Sequence, residues 1–108
     1  MGGASCNTTF SGNFDKKLKK HAQDIYETSR NLGVPVAKGD KDGMKNFILS
    51  IVNDEKNLAN PKFTWNTIES TRAYAKGDAI VLVNNQTNEI ITFLNRPRIS
   101  PYLKEVLK

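Results

Sequence analysis

The sequence predicts an α+β domain in which two N-terminal helices pack on a small antiparallel β-sheet. Apolar residues recur at helical spacing through the first half, first as Phe14, Leu18, Ala22, Ile25 and Leu32, then as Met44, Phe47, Ile48, Ile51 and Val52. From Phe63 onwards the pattern becomes a series of short β-prone runs, the last two flanking the turn Asn84-Asn85-Gln86-Thr87-Asn88. A chain of 108 residues, 38% of them hydrophobic, supports one core and is too short to divide into two.

Residues 1–12 are small, polar and glycine-bearing and form an expected flexible lead-in, with residues 13–108 as a single domain. Asn13 suits the N-cap of the first helix and Asp15 its first turn, while Gly33 and Pro35 terminate it, so one continuous helix is expected. At about 100° per residue, His21 falls at the margin of its apolar face, with Lys17 one turn before and Asp24 and Thr28 following on the same side. Val34 to Gly39 reads as a loop, and Asp40 or Asp42 caps the second helix. Asn53 to Pro61 is polar and turn-rich, Phe63-Thr64-Trp65 and Ile68 to Tyr74 are β-prone, and Ala79 to Val83 is a buried strand paired in a hairpin with Glu89 to Leu94. Strict alternation in that last strand sets Thr92 opposite Ile91 and Phe93, on the face shared by Ile90 and Leu94. Residues 99–108 admit two readings, since Ser100 before Pro101 marks a helix start while the preceding order of elements favours one more strand.

Sixteen Lys and Arg against eleven Asp and Glu give a formal charge of +5, which directs the expected partners towards phosphates, anionic membranes or acidic proteins. The excess is uneven: Lys16, Lys17, Lys19 and Lys20 have no acid among them, and Arg96, Arg98, Lys104 and Lys108 outweigh Glu105 near the C-terminus. The two basic ends are expected to converge on one groove. Cys6 is the only cysteine, which excludes an internal disulfide and a thiolate metal cluster. No apolar stretch approaches the length of a bilayer span, and the first residues lack a basic region followed by a hydrophobic one, so neither a signal peptide nor stable membrane association of this domain is expected.

Several chemistries lack their residues. There is no phosphate-binding glycine loop between a strand and a helix, no Gly-x-Ser-x-Gly elbow, and no His, Cys and acid set at metal-ligand spacing. Metal-independent phosphoryl chemistry on RNA remains, because there the 2′-hydroxyl attacks its own phosphate and the protein supplies only a base, an acid and charge stabilisation. The run Lys16-Lys17-Leu18-Lys19-Lys20-His21 places the only histidine at the end of the densest positive charge, with His21 as acid/base and the lysines as phosphate contacts. The structural alternative is a solvated lysine face with a packed histidine. Arg72, with Thr71 beside it and Tyr74 after, is the second candidate for the phosphate, the alternative being a strand arginine paired with Glu69 or Glu89. Thr92 is a further candidate, although threonine is also an ordinary strand residue. Trp65 and Tyr102 are platforms on which an unstacked base can lie, core packing being the other role for Trp65, and Arg96 and Arg98 bracket Pro97 in a loop suited to phosphate contact.

Lys20-His21-Ala22-Gln23-Asp24, the later amphipathic helix containing Phe47, Ser70-Thr71-Arg72-Ala73-Tyr74, and Val83 to Asn88 before a last hairpin strand together resemble, in the same order, the colicin D-like tRNA-cleaving toxins. These belong to the barnase/EndoU/colicin/RelE group of ribonuclease folds, and the pattern spans roughly residues 14–103. Similar domains form the C-terminal toxin domains of contact-dependent growth inhibition proteins used in bacterial competition. The resemblance implies helices packed on an antiparallel sheet, a His and a Lys from the first helix facing that sheet, and a cognate immunity protein over the cleft; an elongation factor is a further expected partner, no cofactor is expected, and delivery within a larger secreted or cell-surface protein to the cytoplasm of target bacteria is expected. By position, His21 matches the catalytic histidine, Lys20 the adjacent lysine and Arg72 the strand arginine. Ser100 and Tyr102 align with a terminal Ser-x-Trp, although Tyr replaces Trp and Pro101 replaces a small residue; a late-strand Thr serving the phosphate fits Thr92 better. The expected function is therefore a toxin ribonuclease that cleaves tRNA by transesterification, the alternatives being a non-catalytic nucleic-acid-binding module and an NAD-consuming toxin.

Overall fold

The computed structural model describes residues 8–108, so Cys6 and most of the expected lead-in lie outside the described residues. The fold is α+β. Helices α1 (Phe14–Lys20), α2 (Ala22–Asn31) and α3 (Lys41–Val52) precede strands β2 (Leu58–Trp65), β3 (Ile68–Lys76), β4 (Ala79–Asn84) and β5 (Glu89–Asn95), and helix α4 (Pro101–Val106) ends the chain; a short strand β1 (Thr9–Phe10) comes before α1. The sheet order is β1-β5-β4-β3-β2, with β1 parallel to β5 and all other neighbours antiparallel, so the sheet is mixed where the sequence pattern predicts a purely antiparallel one. Thr9 and Phe10 thus belong to the sheet and not to a flexible lead-in, and the Phe10 ring lies 4.8 Å from that of Phe14. No helix among the described residues is long and apolar enough to cross a membrane.

The single first helix expected from the spacing is two helices meeting at His21, whose backbone leaves the helical region at φ −106° and ψ 13°. Each half gains a charge-complemented end: Lys17, Lys19 and Lys20 fill the last turn of α1, and Asp24 lies in the first turn of α2. Periodicity does not register the break because Phe14, Leu18 and Ile25 are buried on either side of it. Gly33 closes α2 in the left-handed conformation at φ 80°, with its N–H donated to Arg30 O and that of Val34 to Ser29 O. Helix α3 is capped by Asp40, which accepts from the Gly43 N–H at 3.0 Å, and buries the five apolar residues that define its period.

The segment read as polar and turn-rich before Pro61 already contains the start of β2. It is an edge strand with repeated register shifts against β3, and an edge tolerates the missing N–H of Pro61. The C-terminus is helical: Ser100 Oγ accepts the Leu103 N–H at 3.3 Å and Pro101 occupies the first helical position.

The sheet carries a core on each face. On one, α1, α2 and α3 pack over Tyr74, Ala79, Val81, Val83, Ile90 and Phe93. On the other, α4 supplies Leu103 against Ala73, Ile80, Leu82 and Phe63. Between them β5 carries a bulge, for Leu82 pairs with Thr92 whereas Val83 pairs with Ile90, leaving Ile91 as the extra residue. The bulge overturns strict alternation: Ile90 joins the helix-covered core, while Ile91, Thr92 and Leu94 turn towards the α4 side.

Candidate functional site

Lys16, Lys17, Lys20 and His21 from α1 and its junction with α2, Trp65 and Asn66 from the β2–β3 hairpin, and Thr92 and Leu94 from β5 line one open cleft of about 330 Å³. The α1–α2 break places His21 at a helix joint, and the β5 bulge sets Thr92, only 4% exposed, on the side of the sheet away from the helix-covered core, where it borders the cleft. Asn66 holds the tip of the tight hairpin at φ 53°, a left-handed conformation that Asn tolerates better than most residues.

The His21 side chain is 16% exposed, and its Nδ1 lies 3.8 Å from Asp24 Oδ2. Burial holds the imidazole below its ordinary pKa; the Asp24 carboxylate pulls it back up, and the Lys20 and Lys17 ammoniums push it down again. The ring is therefore predominantly neutral near pH 7, the state a general base needs. Three lysines on the same wall supply cationic donors, Thr92 supplies a hydroxyl, and Trp65 supplies an aromatic surface, partly packed against the α4-side core. Trp65 is thus both packed against that core and part of the cleft wall. Among the described residues no group of three or more His, Cys, Asp or Glu side chains comes together as a metal-holding set.

Arg72 lies elsewhere. It pairs with Val83 on the helix-covered face, opposite to Thr92, because odd and even positions of β3 project to different sides of the sheet. Its Nε donates to Tyr74 Oη at 2.9 Å, and its two terminal nitrogens donate to Asn85 Oδ1 and Asn88 Oδ1. It is a clamp on the β4–β5 turn and makes neither of the carboxylate pairs, with Glu69 or Glu89, considered from the sequence. Thr71 is fully buried, its hydroxyl donated to Ile68 O, and makes no surface for a substrate.

The other basic and aromatic candidates are partly drawn in. Arg98 Nη1 reaches Asp24 Oδ1 at 3.5 Å, beside His21, whereas Arg96 donates to Gly77 O at 3.3 Å. Neither lines the cleft, nor do Lys19 and Tyr102. Tyr102 donates its hydroxyl to Thr64 O at 2.6 Å, and the Ser100 hydroxyl is spent on capping α4, so the alignment of these two with a last-strand Ser-x-Trp fails because that segment is a helix. Asn66 and Leu94 join the cleft without having been singled out from the sequence; a two-residue gap bearing Asn between Trp65 and Ile68 is the signal that marks the former.

No protein-family model matches the chain, and neither curated proteins nor solved structures yielded a match.

Proposed function

We propose that the chain is a metal-independent ribonuclease working in this cleft, with tRNA as the expected substrate. The observation that carries the reading is convergence: the only histidine, three lysines, a threonine hydroxyl and a tryptophan, drawn from three separate stretches of chain, line one open space. In this mechanism neutral His21 takes the proton from the ribose 2′-hydroxyl, whose oxygen attacks the adjacent phosphorus. Charge gathers on the non-bridging oxygens, where Lys16, Lys17, Lys20 and the Thr92 hydroxyl are donors, while Trp65 stacks against an unpaired base. The 5′-oxygen departs as a hydroxyl with a proton from the lysine wall, the proton on His21 returns to that wall through solvent, and a 2′,3′-cyclic phosphate remains.

Incubating the purified protein with total RNA in the presence of EDTA tests this. Discrete tRNA fragments ending in cyclic phosphate are expected. RNA binding without cleavage turns the reading into that of a nucleic-acid-binding module, and loss of added NAD into that of an NAD-consuming toxin. The toxin context is part of the same proposal: an acidic immunity protein covers the lysine wall, and its affinity weakens as salt rises because the contact is between opposite charges. A protective partner that binds without salt dependence and leaves Lys16 to Lys20 open overturns that part.

A further inference from the structure

The His21 ring has a second neighbourhood besides the cleft. Asp24 Oδ1 accepts from Asn95 Nδ2 at 3.2 Å and pairs with Arg98 Nη1 at 3.5 Å, which leaves Oδ2 facing His21 Nδ1 at 3.8 Å. The same Asn95 amide donates to Glu27 Oε1 at 3.1 Å, so one side chain of β5 ties down two carboxylates of α2. Asn95 is only 3% exposed, and its Oδ1 has no partner. The groups that this buried amide holds lie one contact from the proposed base. Of the residues that line the cleft with His21, Lys16, Lys17 and Lys20 of α1 are cationic and Trp65, Asn66, Thr92 and Leu94 are uncharged; the charges acting on the ring are the Lys20 and Lys17 ammoniums and, on the negative side, Asp24. Arg98 reaches the ring only through Asp24.

We propose that Asp24 is the positioning residue of this site: fixed by Asn95 and Arg98, its carboxylate keeps the proton of the neutral ring on Nδ1 and leaves Nε2 to receive the proton of the attacking hydroxyl. The 3.8 Å separation is an ion-pair distance that tightens when the ring becomes an imidazolium. The chemical consequence rests on the ribonuclease reading, whereas the geometry does not. The lysine wall would otherwise oppose a second positive charge on His21, and the carboxylate offsets it at the moment of transfer.

His21 is the only histidine in the sequence, so its two ring nitrogens are the only imidazole signals in a ¹⁵N-correlated NMR spectrum. In the wild-type protein the neutral ring is expected as the Nδ1–H tautomer. Asp24→Asn should move the His21 titration to lower pH and loosen the tautomer preference, Asp24→Glu should restore the titration towards wild type, and single-turnover RNA cleavage by Asp24→Asn should fall about 10-fold, a part of what the base itself contributes. The proposal is overturned if Asp24→Asn leaves both titration and tautomer unchanged. Absence of RNA cleavage by the wild-type protein counts against the ribonuclease reading alone, because the NMR titration decides the role of Asp24 without substrate.

Discussion

On one face of the sheet three helices bury Val81, Val83, Ile90 and Phe93, and the charged residue there, Arg72, is consumed in hydrogen bonds to Tyr74, Asn85 and Asn88. On the other face the short helix α4 covers Ile80 and Leu82 but leaves Thr92 and Leu94 as part of an open cleft beside lysines and the histidine. The same sheet thus carries a side closed by three helices, where Arg72 is spent on internal hydrogen bonds and, among the described residues, Asn95 Oδ1 alone is buried without a partner, and a partly covered side that borders the cleft. Incomplete coverage, more than residue type, separates the two: a guanidinium is as good a phosphate ligand as an ammonium, yet the packed face spends it on a turn.

Removing the imidazole is the largest test of that contrast. His21→Ala should lower single-turnover cleavage by about 10²- to 10⁴-fold while the melting temperature stays near wild type, since the ring lies at a helix joint and outside both cores. Near-normal cleavage would remove His21 from the chemistry, and a variant that melts on purification would make it a structural residue.

Arg72 and Thr92 then separate the two faces directly. Arg72→Ala should cost about 1–3 kcal/mol in urea unfolding through its lost charged hydrogen bonds, with the cleavage rate of the folded protein unchanged. Thr92→Val should do the reverse, lowering the rate about 10-fold with little change in unfolding, the scale of one neutral hydrogen bond to a charged oxygen. If Arg72→Ala abolishes cleavage at unchanged stability, the closed face is part of the site and the contrast fails.

The smallest effect lies in the pH profile. Since the rate needs neutral His21 and burial, with Lys20 and Lys17, holds its pKa below the ordinary value of about 6.5, cleavage should stay level down to mildly acidic pH and fall only below that value. Lys20→Gln removes a cation that opposes protonation, so the ring's pKa rises and the acidic limb moves to higher pH. A limb that stays in place would detach Lys20 from the ring's electrostatics.

Much of this architecture is legible in the order of residues, because its signals are local. The period of Met44 to Val52 with Asp40 before it specifies α3 and the apolar runs around Asn84 to Asn88 specify the hairpin, whereas Ser100-Pro101 leaves the last segment open between helix and strand until the structure shows α4. The lysine run ending at His21 likewise marks one wall of the cleft. What needed the tertiary structure are features that depend on partners distant in sequence. The joint at His21 interrupts a helix whose apolar spacing continues across it, and β1 exists only because β5 supplies its hydrogen bonds. One inserted residue at Ile91 sends Thr92 and Ile90 to opposite faces, and pairing with Val83 assigns Arg72 to the helices. In a pleated strand a single-residue change of register exchanges the two faces, and register is decided by neighbouring strands, so the sequence by itself determined which chemical groups were present while the sheet decided which of them meet.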